Sequence, residues 1–245
     1  MPPVHLHVEQ NSTTDKSYTY LDLFRHRKVA SLSIIQGLIW STIALFYFTI
    51  SLESSKLGAN IYNVFALSSL VELPGTLLTM YVCDRLGRKG TVLGTLFVAS
   101  LFAAAIAIIP RSYSEHHIVL GLTFAILVKF FVNITYVGIY IWTFEMFPTV
   151  VRSQGLAVSA VFERVGALCA PFLITVLQSV TYTMPFIILA VVGILAAVVG
   201  LLLPETNGLP TRDVYEDFFV TKRKNGAGRG RVEMGVVNQV SDVNL

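Results

Sequence analysis

Charge is what this sequence has least of. Lys, Arg, Asp and Glu make up 13% of its 245 residues, while hydrophobic residues make up 54%. A water-soluble chain of this length carries roughly a quarter charged residues and does not leave several runs near 20 residues almost free of them, so the scarcity excludes a soluble fold. Cysteine is nearly absent too. Cys83 and Cys169 cannot build a disulfide framework, and each lies in or beside an apolar run, where it reads as a small buried side chain. The chain has no Gly-rich phosphate loop and no nucleophile, base or paired-carboxylate set, which excludes ATP hydrolysis and gives no reason to expect an enzyme or a cofactor. His5 and His7 have no ligand-forming context, so no metal is expected. The first 28 residues are polar and carry no secretory signal.

What is present is a series of long apolar runs. Six of them, at about 29–50, 61–82, 90–109, 118–142, 154–177 and 184–203, are long enough as helices to cross a hydrocarbon core of about 30 Å. The expected fold is all-α: a polytopic membrane domain over 29–203, flanked by a polar segment at 1–28 and a polar tail at 204–245. Basic residues alternate between the intervals. Lys16, Arg25, Arg27, Lys28, Arg85, Arg88, Lys89, Arg152, Arg212, Lys222, Arg223, Lys224, Arg229 and Arg231 fall on one side, against Lys56 and Arg111 on the other. The positive-inside bias therefore places both termini in the cytoplasm. The stretch "KRKNGAGRGR" reads as a disordered cytoplasmic tail attracted to anionic lipid rather than a nucleic-acid site. Sequons at Asn11 and Asn133 lie in the cytoplasm and within a span, where neither is glycosylated.

The spans differ chemically. The third and sixth have almost nothing polar and are expected to face lipid. The second carries Tyr62, Ser69, Glu72, Thr76 and Thr79 at intervals of 7, 3, 4 and 3, which gathers its polarity on one helical stripe. The fourth repeats this with Lys129, Asn133, Tyr136 and Tyr140, and the first offers Ser33, Gln36, Trp40 and Tyr47. The fifth, "AVSAVFERVGALCAPFLITVL", is interrupted by Glu163 and Arg164. Ser and Thr on such stripes often do no more than glue helices together. Glu72, Lys129 and Arg164 are another matter, because they share the midplane, too deep for a long side chain to snorkel to water.

Two intervals carry the sharpest strings. Between the second and third spans stands "DRLGRK", Asp84 to Lys89, in which Gly87 permits a tight turn. After the fourth span stands "TFEMFPTVVRSQG", in which Pro148 separates two helices and Glu145 and Arg152 bracket it. The first string resembles the signature loop of the major facilitator superfamily. The second, with "SAVFERVG", "LVELPG", "VKF", "SKLGANIY" and "LDLFRH", resembles the organic cation, organic anion and carnitine transporters of solute carrier family 22 more than the sugar porters, which carry Gly-Pro-x-Pro-Trp where this chain has "VGIYIWTFE".

The resemblance covers about residues 20 to 217 and implies a six-helix half, itself a 3+3 inverted repeat, of a twelve-helix carrier. It implies a small organic ion as substrate, with an anion or a carnitine-like zwitterion favoured because Arg164 stands where cation carriers tend to have Asp. Lys129, Glu72, Gln36, Trp40, Tyr136 and Tyr140 would join Arg164 around that substrate. Asp84, Arg85, Gly87, Arg88, Glu145 and Arg152 would form a cytoplasmic charge network that clasps helix ends. The expected partners are the bilayer and an amino-terminal six-helix half or a second copy, with no nucleic acid, in the plasma membrane. Two alternatives stay open: a truncated membrane protein or incomplete gene product that transports nothing and at most regulates a full-length carrier, and a sugar-porter-like carrier. Glu163 is left with two readings, a pairing with a neighbouring helix such as through Lys129, or attraction of the cationic end of a zwitterion.

Overall fold

The computed structural model describes residues 27–54, 61–109, 115–147 and 152–206. Six helices account for nearly all of them: α1 (Arg27–Ser54), α2 (Ile61–Leu86), α3 (Arg88–Ile108), α4 (Glu115–Met146), α5 (Arg152–Gln178) and α6 (Met184–Gly200). Each coincides with one of the six expected spans. The first five are long and apolar enough to cross a membrane; α6 has 17 residues. Beyond Gly200 the amides of Leu201, Leu202 and Leu203 bond to carbonyls three residues back, so the expected sixth span is completed by a tighter turn. The linker string at 21–26, the loop at 55–60, Pro148, both histidines near the start and the basic tail lie outside the described residues.

In lipid a polar group is best satisfied within the protein, and many of the hydroxyls achieve this locally, although Ser33 and Thr49 do not. Thr42, Ser51, Thr76, Thr79, Ser100, Thr135 and Ser159 each donate to the carbonyl four residues earlier. Pro74 and Pro171 lie inside α2 and α5, and both helices run through them. The turn between α2 and α3 is a single residue. Gly87 takes φ 82°, a left-handed conformation that a side chain would strain, and α3 starts at once after it.

The core lies among α1, α3, α4 and α6, where Ile39, Ile43, Phe46, Leu96, Val128, Trp142, Phe186 and Leu189 are buried. α1 is the central element and packs on α4, α5 and α6, while α3 is held between α4 and α6, and α2 leans on α4. Close approach of α5 to α1 requires Gly166, since a Cβ there would overlap the backbone carbonyl of Ser41. The exposed large residues of α3 and α6, among them Phe97, Leu101, Val191, Leu195 and Val198, are all apolar, which fits the lipid-facing role expected of these helices.

Coverage is uneven. In α1, 67% of the apolar window is buried, but in α2 and α5 only 22%. This uncovered face of α5 also corrects one expectation: Cys83 is buried, but Cys169 is exposed. Asn133 is enclosed within α4, where its amide donates to the carbonyl of Glu72.

The backbone contact at Gly166 sets a test. Gly166→Ala is expected to destabilise the bundle by about 1–3 kcal/mol through overpacking against a carbonyl that cannot rotate away. Gly94→Ala, whose added Cβ would meet nothing within 4 Å, is expected to leave thermal unfolding of the purified chain unchanged or slightly raised. Equal shifts for the two would refute the packing assignment.

Candidate functional site

The polar stripes of α1, α2 and α4 meet inside the bundle. Lys129 Nζ on α4 lies 3.2 Å from Glu72 Oε1 on α2, and Tyr47 OH on α1 donates to the same oxygen at 3.1 Å. The ammonium also stands 5.3 Å from the centroid of the Tyr47 ring, so charge pairing and the ring's negative face act together. Beneath this pair, Asn133 Nδ2 donates to the Glu72 carbonyl at 2.8 Å and to Thr76 Oγ1 at 3.1 Å. Gly75 brings α4 close enough for these bonds, as a Cβ there would press on Asn133 and Phe130. An ion pair so enclosed is favoured by further hydrogen bonds, and the Tyr47 hydroxyl supplies one, so that three helices meet at Glu72 Oε1.

A second group lies between α1, α4 and α5. Trp40 and Tyr140 meet edge-on at 4.4 Å, Tyr136 joins them at 6.2 Å from Trp40 and 5.6 Å from Tyr140, and Tyr47 links this group to the ion pair at 6.0 Å from Tyr136. Tyr136 OH donates to Glu163 Oε1 at 2.6 Å. Gln36 Nε2 and Trp40 Nε1 both donate to Thr143 Oγ1, at 2.7 and 3.0 Å, and both side chains are enclosed between α1 and α4 rather than facing an open pathway.

Glu163 and Arg164 part company. Adjacent residues on a helix diverge by about 100°, and the structure turns Glu163 inward with its side chain 4% exposed and Arg164 outward at 77%. Arg164 Nη1 comes within 4.0 Å of Glu163 Oε1. Of the two pairings open to Glu163, the structure selects a neighbouring helix, through Tyr136 rather than Lys129, whose partner is Glu72.

The third group closes one end of the bundle. Arg88 Nε donates to Glu145 Oε1 at 3.0 Å, and its Nη1 reaches Asp84 at 3.5 Å. The expected network is therefore assembled in part. Arg152 does not join Glu145 within ion-pair distance; its Nε donates to the Phe147 carbonyl at 3.4 Å. Arg85 lies over the Tyr81 ring at 5.4 Å, away from Glu145. In their place stands the segment after α6. Glu205 Oε1 accepts from the amides of Arg88 and Lys89 at the start of α3, where a carboxylate is favoured by the free N–H groups and the helix dipole. Thr206 Oγ1 donates to Glu145 Oε2 at 2.7 Å, Trp142 Nε1 donates to the Pro204 carbonyl at 3.2 Å, and Lys89 Nζ caps the end of α6 through the carbonyls of Leu201 and Leu203. The loop, α4 and the end of α6 are thus tied into one latch.

Residues 29–225 match the Major Facilitator Superfamily. The chain belongs to this superfamily. Among its relatives it is 30% identical over 248 aligned residues to Solute carrier family 22 member 16 of Xenopus laevis, covering 98% of this chain and 43% of the relative. It is 30% identical over 209 residues to the Organic cation transporter protein of Drosophila melanogaster, covering 85% and 37%. To Organic cation/carnitine transporter 2 of Rattus norvegicus it is 29% identical over 213 residues, covering 86% and 37%. The resemblance to solute carrier family 22 is borne out, and the chain spans less than half the length of these relatives.

In this major facilitator chain, several residues of the interior clusters were not singled out from sequence as site residues, among them Asn133 and Thr76, which were named on their stripes without a site role. Tyr47 was named on the α1 stripe without a role, and Glu163 was left undecided. Thr143 extends the α4 stripe by one further step of three residues after Tyr140, and that continuation was its available signal. Lys89, Glu205 and Thr206 join the latch through tertiary contact alone.

The enclosed pair predicts a non-additive result. Lys129→Met leaves Glu72 without its cation and is expected to lower stability by about 3–5 kcal/mol, whereas adding Glu72→Leu is expected to restore most of the loss. Thermal unfolding of the two single variants and the double variant in detergent measures the coupling, and simple additivity would show that the pair is not the binding element.

Proposed function

We propose that this chain is the carboxyl half of a secondary carrier that moves small organic ions by alternating access, with an anion or zwitterion favoured over a free cation. The observation that carries this reading is Arg164. It stands at the middle of α5 on a face otherwise occupied by Val161, Val165, Leu168 and Phe172, all exposed. A guanidinium turned to hydrocarbon at that depth costs about 2.5–3.5 kcal/mol on insertion scales, so this face is better suited to a water-containing cleft against another helix bundle. There the planar fork of Arg164 would take a carboxylate or sulfonate in bidentate fashion and repel a free cation.

The other site residues take graded roles. Lys129 and Glu72 would act from within this bundle, as an ion pair that exchanges partners with a charged ligand. Tyr136 and Tyr140, each half-buried, would offer aromatic surface to the organic body. Gln36 and Trp40 would brace that surface from behind through Thr143. The latch of Asp84, Gly87, Arg88 and Glu145 would lie on the cytoplasmic side with both termini, in the plasma membrane, and would hold while the carrier faces outward. The sparse coverage of α2 and α5 supports reading these two helices as the surface for an amino-terminal half or a second copy.

Orientation is tested by cysteine labelling. Ser114→Cys is expected to react with an impermeant reagent applied outside intact cells and Asn225→Cys is not; the reverse pattern would invert the topology. Function is tested by co-expressing the chain with an amino-terminal six-helix half and measuring uptake of an organic anion, a zwitterion and an organic cation, each normalised to surface protein. Arg164→Asp is expected to shift preference toward the cation, and Arg164→Lys to keep the order while weakening apparent affinity about tenfold to a hundredfold through loss of the fork. An unchanged order in Arg164→Asp would remove this residue from the substrate site.

A further inference from the structure

On the outer side of the bundle, away from the faces of α2 and α5, α3 and α6 diverge around an open apolar groove of about 530 Å³, lined by Leu93, Gly94, Phe97, Ala197, Val198 and Leu201, with Gly90, Lys89 and Glu205 at its mouth. Its floor is made by two glycines one helical turn apart. Neither is required by the packing of this chain: a Cβ at Gly94 would meet nothing within 4 Å, and one at Gly90 would meet only Leu86 at 3.9 Å. This contrasts with Gly200 across the groove, where a Cβ would overlap Leu93. A helix glycine is less favourable than alanine by about 0.5–1 kcal/mol, so two of them facing open space keep a channel clear at some expense to the helix.

We propose that this groove is a phospholipid site, with an acyl chain lying along Gly90, Gly94 and Phe97 and the phosphate on Lys89. Three observations fix the occupant. The neighbouring exposed side chains of α3 and α6 are apolar throughout, so the medium against the groove is hydrocarbon. From Lys89 to Phe97 the groove runs about 12 Å along the helix axis, the direction and scale of a lipid tail. At the mouth, Lys89 Nζ spends two of its three donors on the carbonyls of Leu201 and Leu203 and has one left, pointing a cation at headgroup depth. Glu205 is engaged with the amides of Arg88 and Lys89 at the start of α3, which leaves the lysine to meet the anionic group. Because Lys89 also caps α6, a lipid held there would touch the latch directly.

The whole 245-residue chain is suited to the test, and transport is not needed for it. Protein purified in detergent is mixed with phosphatidylglycerol, phosphatidylethanolamine or phosphatidylcholine of equal chain length, and bound lipid is counted by native mass spectrometry. Gly94→Leu, whose Cβ would meet nothing within 4 Å, places a branched side chain at the groove and is expected to reduce retention of all three lipids about tenfold, whereas Val191→Leu, on the exposed face of α6, is expected to leave it unchanged. Lys89→Gln is expected to reduce phosphatidylglycerol most while retaining the shared, tail-dependent part. Retention in Gly94→Leu equal to that of the unsubstituted chain would overturn the proposal. So would a dimer that dissociates in Gly94→Leu with lipid count unchanged, because the groove would then hold a second copy's helix.

Discussion

An ammonium and a carboxylate held 3.2 Å apart in the interior of a membrane bundle constrain everything around them. A lone Lys129 or Glu72 would be costly at that depth, and three helices arrive in register around the pair: α4 with the lysine, α2 with the glutamate and α1 with the Tyr47 hydroxyl. Asn133 then fastens α4 to the α2 backbone, and Gly75 makes room for it. The same α4 face carries Tyr136 to Glu163 and Thr143 to Gln36 and Trp40, so one stripe of one helix organises both interior clusters.

Against this enclosed interior, Arg164 stands out by being exposed. Its neighbour Glu163 is taken inward by Tyr136, leaving the guanidinium on a face that none of the other described helices covers. The asymmetry has a simple origin in helix geometry, and its effect is to divide a two-charge motif into an anchor and an open group. The uncovered α2 and α5 flank the polar interior, whereas α3 and α6 stand on the far side with an apolar surface.

At the end of the bundle a different economy operates. Arg88, Glu145, Glu205 and Thr206 come from three separated parts of the chain; Arg88 and Thr206 meet on the Glu145 carboxylate, and Glu205 takes up backbone amides at the start of α3. Gly87 makes this possible, since its left-handed turn starts α3 at once and presents two free amides to Glu205. The groove between α3 and α6 begins at the same lysine that closes the latch, so the lipid-facing surface and the latch meet at Lys89.

The number, length and order of the six helices were legible in the sequence because hydrocarbon thickness and hydropathy are properties of contiguous residues. So were the stripes of α1, α2 and α4, which depend on spacing along one helix, and the divergence of Glu163 from Arg164, which follows from a 100° step. The family was legible through short strings such as "DRLGRK" and "EMFPTVVR". What spacing along one element cannot supply is the choice of partner on another. Glu163 was equally suited to Lys129 by charge, and Arg152 to Glu145; the packing angles gave Glu163 to Tyr136 and Arg152 to a backbone carbonyl. Gln36 and Trp40 have the polarity of pathway residues but are enclosed because α4 brings Thr143 against them, and Glu205 reaches α3 across more than a hundred residues of chain. Hydropathy and period determined which residues enter the membrane and which face of a helix is polar; only the docking of the helices decided which polar groups satisfy one another and which, like Arg164, are left exposed.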